Sequence, residues 1–181
     1  TQDHLDFHKN MDDYAEAKTR LFSRHLKPGA LSAINIDDNY SEKFIKAAPY
    51  KVRTFSEKDG GADLLIGNII YKDSGIEIEY SFENSRFSVR TNLNGRFQAY
   101  NTAGAILCAL NLGLKTEDIV NAFKEPVYIP GRMERIYDND FQIIIDYAHS
   151  PDALERTLRT INEFKKGKLI TVFGCGGNRD H

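Results

Sequence analysis

Three side chains near the start of the chain, His4, His8 and Lys18, are of the types that metal and carboxyl-transfer chemistry uses. His4 and His8 lie among Asp3 and Asp6 in "TQDHLDFHKN". The ordinary reading of that stretch is a polar loop with solvated histidines. The chemical reading is a metal ligand, a common use of imidazole. No CxxC or HExxH spacing points to zinc. Lys18 sits in "DYAEAKTRLF", which is rich in helix formers and free of Gly and Pro. Tyr14, Lys18, Leu21 and Phe22 share the i, i+4, i+7, i+8 stripe that normally faces a core. A lysine there ordinarily lays its stem on the core and keeps its amine in water. Burial would instead disfavour the ammonium. The neutral amine could then combine with carbon dioxide as a carbamate, an anionic bidentate group suited to Mg2+, which takes hard oxygen ligands.

A second group lies near the other end. "IIIDYAHSPDAL" places Asp146, Tyr147 and His149 at the C-terminal end of an apolar run. In open α/β sheets that edge binds ligands, and Asp146 has the chemistry to accept hydrogen bonds from a ribose diol. The ordinary reading is helix capping by Ser150 and Asp152, and the two are compatible. "GCGGNRD" follows a strand-like run, as phosphate loops do, yet no GxxxxGK[ST] occurs anywhere in the chain. Alone it is a weak signal, because glycine-rich turns are common punctuation.

The elements that must position these groups are legible as patterns. Residues 11–26 read as the first helix. "GALSAINIDD" alternates apolar and small residues and then reaches two carboxylates, as a strand running into a loop does. "SEKFIKAAP" reads as a short helix capped by Ser41. From Tyr50 to Leu93 the period changes to two, with strand-like runs broken by "DSG" and "ENS": a small antiparallel meander. "NTAGAILCALNLGL" reads as a helix rich in small residues, and "KTEDIVNAFKE" as another with Thr116 as cap. Pro130-Gly131 marks a break. Beyond it, "FQIIIDYA" has the continuous apolar character of a strand buried on both faces. "SPDALERTLRTINEFKKG" is a helix with Ser150 as cap, Pro151 at its first position and Gly167 past its end. "KLITVFGCGG" completes a β-α-β unit, which implies a parallel sheet.

Composition narrows the class. The 181 residues are 41% hydrophobic and 28% charged with a net charge of -2. That is ordinary for a globular protein and carries no basic footprint for nucleic acid. No apolar run approaches the ~20 residues of a membrane span. Cys108 and Cys175 are too few for a disulfide framework and read as reduced thiols of a cytoplasmic protein. A two-strand parallel unit cannot cover itself, and the polar, reactive opening "TQDHLDFH" reads as the continuation of an earlier segment. The expectation is a piece of a larger enzyme.

Together the motifs resemble the Mur ligase family, ATP-dependent amide-bond ligases of peptidoglycan synthesis. The segments are "TQDHLDFH…YAEAK…LF", "NIDD", "LNGRFQAYNTAGAILCALNLG", "IPGRMERI", "DYAHSPDALE" and "VFGCGGNRD", in family order along nearly the whole chain. "DYAHSPDAL" with "FGCGGNRD" is most similar to the members that add the third stem-peptide residue. The resemblance implies that Lys18 is carried as a carbamate that positions Mg2+, with His4 at a second metal. It implies that Asn101 lies at the adenine, Arg132 on the nucleotide, Asp146 at the ribose and His149 beside it. Arg179 would meet the carboxylate of the incoming amino acid, and His8 has no assigned role. The implied partners are ATP, UDP-MurNAc-L-Ala-D-Glu and diaminopimelate or lysine, with neither nucleic acid nor membrane, in the bacterial cytoplasm.

The expected fold class is α/β. Residues 1–129 would be the later part of the central ATP-binding domain, with the β meander at about 62–93, and 130–181 the start of a Rossmann-like C-terminal domain. The family's phosphate loop would lie ahead of Thr1, so the piece alone is expected to be inactive. The alternatives are another Mur or folylpolyglutamate-type ligase, and a non-catalytic module that binds nucleotide or a partner.

Overall fold

The computed structural model describes residues 8–72 and 75–174. Helix α1 (Met11–His25) begins where Asn10 Oδ1 accepts the Asp13 N–H at 2.9 Å. Asp12 and Asp13 in its first turn and Arg24 and His25 in its last complement the helix dipole. Its buried residues are Ala15 and Thr19, and Phe22 meets Phe44 of helix α2 (Ser41–Ala47) with ring centroids 5.5 Å apart. The expected core stripe is therefore displaced. Lys18 is exposed and Leu21 is 59% exposed. The packed face is made of small residues, which allow close helix approach, and a pattern that weighs large apolar side chains points to its flank.

Strand β1 (Ser32–Asn35), α2 and strand β2 (Val52–Ser56) form a parallel unit, with Ser32 opposite Val52 and Asn35 opposite Phe55. Ser41 is not the cap of α2. Tyr40 holds that position without a side-chain bond, and Asp38 turns the chain by accepting the Tyr40 N–H at 2.8 Å. Strands β3 (Leu64–Lys72), β4 (Gly75–Phe82) and β5 (Ser85–Thr91) form the expected antiparallel meander, with a bulge between Ile66 and Ile69. It is not a separate sheet. β3 pairs parallel with β2, giving one five-stranded mixed sheet in sequence order.

Helix α3 (Arg96–Asn111) covers this sheet and starts five residues ahead of the small-residue run that signals it. Ala99, Ala103, Ile106 and Leu107 pack with Leu64, Ile66, Ile76, Ile78, Tyr80 and Val89 as one core. The buried Tyr80 hydroxyl donates to the Ala99 carbonyl at 2.8 Å, so it leaves no unpaired polar group. Helix α4 (Thr116–Ala122) adds Ile119. Thr116 is its first residue rather than its cap, which is Lys115.

A polar network ties α3 to the C-terminal ends of β1 and β2. Asp37 accepts from Ser56 Oγ at 2.5 Å, from the Glu57 N–H at 2.9 Å and from Tyr100 Oη at 3.0 Å. Tyr100 Oη also lies 2.9 Å from Glu57 Oε2, and Arg96 pairs with Glu57. Burial works to raise the Asp37 pKa. The hydrogen bonds from Ser56, Glu57 and Tyr100, with the charge of Lys58, together hold it below the usual aspartate value.

The remaining described residues form a second, smaller unit. Strands β6 (Glu134–Asp138) and β7 (Gln142–Ile145) make an antiparallel hairpin, followed by helix α5 (Pro151–Phe164). Ser150 caps α5 by accepting the Ala153 N–H at 3.3 Å, with Pro151 at the first turn. The parallel β-α-β reading is corrected here. β7 finds its partner locally in β6, a strand the apolar pattern did not reveal. Ile143 and Ile145 are more than 40% exposed rather than buried on both faces. Residues 168–174 form no strand, and Val172 is 94% exposed. A strand needs a neighbour for its backbone groups, and none of the described residues offers one there. The segment leading into the smaller unit is held where Asn92 accepts the Val127 N–H at 2.7 Å and donates to its carbonyl at 2.8 Å. The units meet at Gly95, where an added Cβ would lie 2.9 Å from Thr160 Cγ2. Beside it, burial and a hydrogen bond to Glu163 on α5 push the Tyr71 phenol up to about 12.

Two predictions follow from these contacts. Gly75 has φ +138°, and a Cβ there would lie 1.9 Å from the Thr91 carbonyl oxygen. Gly75→Ala should destabilise the chain by about 3 kcal/mol in urea unfolding. Gly167→Ala, which meets nothing within 4 Å, should stay within about 0.5 kcal/mol. Asp37→Asn should lower stability at pH 7 by about 1–2 kcal/mol. Because the folded-state pKa of Asp37 lies below its unfolded value, its contribution is present above that unfolded value. It is lost as pH falls through the folded one. The difference between wild type and Asp37→Asn should therefore shrink below about pH 4.

Candidate functional site

The expected residues of the second unit converge on the turns flanking its hairpin. The Tyr147 N–H donates to the Gly131 carbonyl at 2.7 Å, closing the segment after β7 onto the one before β6. Asp146 holds this closure. Its Oδ2 accepts the Met133 N–H at 2.9 Å, and its Oδ1 accepts the Ala148 N–H at 2.8 Å and the Thr157 hydroxyl at 3.2 Å. Three donors from the chain leave a carboxylate with about four acceptor positions about one free to accept from a ligand. Asp146 thus builds the turn as well as lining it. Arg132 places its guanidinium 5.5 Å over the Tyr147 ring, and the His149 ring meets Tyr147 edge-on at 4.9 Å. His149 Nδ1 lies 2.8 Å from the Tyr147 carbonyl. The result is a cation, an aromatic face and an imidazole presented side by side, a set able to bind a base or a phosphate. Tyr147 is the member that motif reading left without a role. It is 57% exposed, an unusual state for a large ring that two neighbours hold in place.

A cleft of about 90 Å3 opens beside Arg132, between the 127–135 segment and Asn92, Leu93 and Asn94. Asn101 stands on α3, exposed, its amide nitrogen 3.1 Å from Gln98 Oε1. Lys18 stands on α1 with its ammonium 4.8 Å over the Tyr14 ring, a cation–π contact rather than a buried amine. His8 packs on the same ring and lies 3.5 Å from Asp13. Cys108 is a free, exposed thiol on α3. His4, Cys175 and Arg179 lie outside the described residues.

Metal binding is the weakest match to this geometry. Among the described residues no group of three or more His, Cys, Asp or Glu side chains is arranged to hold an ion. As an ammonium, Lys18 repels one. These residues alone do not fit Mg2+. No described helix is long and apolar enough to cross a membrane. The residues that sequence reasoning missed are Ser56, Glu57, Arg96 and Tyr100. The segments "NIDD", which contains Asp37, and "LNGRFQAYNTAGA", which contains Arg96 and Tyr100, flagged this region without giving these side chains a role.

The profile of the Mur ligase middle domain matches residues 1–109, and that of the Mur ligase glutamate ligase domain matches residues 131–181. The UDP-N-acetylmuramoyl-L-alanyl-D-glutamate–2,6-diaminopimelate ligases of a Nostoc species and of Aquifex aeolicus are 43% and 42% identical to the chain. Each alignment covers 99% of this chain. A solved structure of a ligase of the same name superposes with a TM-score of 0.77 at 34% identity, over 99% of this chain and 37% of that one. The chain spans 37% and 36% of the length of the two named relatives. With its middle domain matched over more than half of the chain, and the adjoining domain matched after it, the protein belongs to the Mur ligase family.

Proposed function

We propose that this chain is the nucleotide-facing portion of an ATP-dependent ligase that adds diaminopimelate to UDP-MurNAc-L-Ala-D-Glu. The observation that supports this reading best is the Arg132–Tyr147–His149 constellation built on the Asp146 turn. The names of the relatives at 42–43% identity favour diaminopimelate over lysine as the amino acid. The division into a central-domain part, 1–129, and a C-terminal part, 130–181, belongs to the same reading. So does a cytoplasmic location, where nucleotide-linked precursors are made.

In this proposal ATP phosphorylates the glutamate carboxylate, giving an acyl phosphate and ADP. The amine of the incoming amino acid attacks the acyl carbon, and the tetrahedral intermediate expels phosphate as the amide forms. The contribution of the chain is positioning and charge complementarity. Asn101 would meet the adenine, Asp146 and His149 the ribose side, and Arg132 would offset nucleotide charge. Mg2+ belongs to the same proposal: a carbamate on Lys18 would give one ion an oxygen ligand where an ammonium gives none, and His4 would serve a second metal. Arg179 would meet the amino-acid carboxylate.

The test is a chimera in which residues 1–181 replace the matching segment of the Aquifex aeolicus relative. It should form the amide with diaminopimelate and ATP; a folded chimera that does not would contradict the proposal. Lys18→Ala in this chimera should lower kcat on the order of 100-fold, the scale of one lost charge-stabilising group. A small carboxylate or high bicarbonate should recover part of it. Full activity in the variant would remove the carbamate role.

A further inference from the structure

The reading above leaves the Asp37–Glu57–Tyr100 network without a function. α3 begins without a side-chain cap and without an acidic residue in its first turn, and it carries Arg96 there. A cation at that end opposes the helix dipole. The missing negative charge comes from outside the helix: Glu57, just past β2, pairs with Arg96. One turn on, Tyr100 Oη lies 3.0 Å from Asp37 Oδ2 and 2.9 Å from Glu57 Oε2. A phenol has one proton, which the two carboxylate acceptors share here, and it joins the ends of both strands only while it remains a neutral donor. Burial, and the hydrogen bonds to Glu57 and Asp37, raise its pKa well above the ordinary value. The donor therefore persists at neutral pH. Asn101 is the next residue, on the exposed side of the same turn, and the nitrogen side of its amide is committed to Gln98, itself 4% exposed.

We propose that Tyr100 is a positioning residue: by bonding Asp37 and Glu57 it sets the rotation and height of the first turns of α3, and thereby aims Asn101 at the nucleotide. This rests on the ligase reading for the identity of the ligand. The tie itself is a property of the 181-residue chain.

Tyr100→Phe keeps the ring and removes only the hydroxyl, which separates positioning from packing. In the 181-residue chain the variant should exchange the amide hydrogens of residues 98–102 about tenfold faster, while those of β4 stay unchanged. In the chimera it should raise KM for ATP about tenfold, the scale of one to two lost hydrogen bonds. KM for the UDP-sugar dipeptide should not move. A merely structural role would change all kinetic constants together with the melting midpoint. Unchanged exchange at 98–102 overturns the proposal, as does an unchanged KM for ATP in an active chimera. A folded wild-type chimera without ATP turnover removes the ligase reading, and this role with it.

Discussion

The carboxylate of Asp37 is the contact on which the arrangement of the larger unit depends. It closes the end of β1, receives the Ser56 hydroxyl and the Glu57 amide from the end of β2, and reaches Tyr100 on α3. Its partners come from strand ends and a helix widely separated along the chain, so it forms only when the sheet and α3 have docked. Apolar packing brings them together, since Ala99 and Ala103 let the helix backbone lie close to β1, β2 and β3. Packing of small residues is tolerant of sliding. Directional bonds to a charged group are not. The core therefore decides that α3 lies on the sheet, and the network decides where along it.

A similar division operates in the smaller unit. Its hairpin buries little, with Phe141, Ile143 and Ile145 all substantially exposed, and its shape is held by polar closure at Asp146 and Gly131. Arg132, Tyr147 and His149 gather there because the closure brings the two flanking segments together, rather than because a core packs beneath them. The junction between the units follows the same principle. The Asn92 side chain satisfies both backbone groups of Val127 in the manner of a strand neighbour, and Gly95 admits Thr160 where any side chain would collide.

What was legible in the sequence follows from this. The meander, α5 with Ser150 and Pro151, and the small-residue character of α3 depend on local pattern and were readable. The cluster of Arg132, Asp146 and His149 was readable from motifs, although the structural duty of Asp146 was not. Lys18 was misplaced because the packed face of α1 is Ala15 and Thr19, which carry little weight in a hydrophobic stripe. Residue type points to Ser41 and Thr116 as caps, whereas both are the first helical residues, after Tyr40 and Lys115, which make no side-chain cap bond. β7 was read as doubly buried from composition alone, and its antiparallel partner, "ERIYD", is too polar to announce itself. The Asp37–Tyr100 network joins positions 63 residues apart, and no spacing rule reaches that far.

The account holds that Asn101 on one unit and Arg132, Asp146 and His149 on the other face a single nucleotide. The most direct test is a crystal structure of the chimera with ADP bound. The account predicts the adenine against Asn101, the ribose beside Asp146 and His149, and Arg132 within hydrogen-bonding reach of the nucleotide. ADP bound elsewhere, with Asn101 and Arg132 both in solvent, would contradict it.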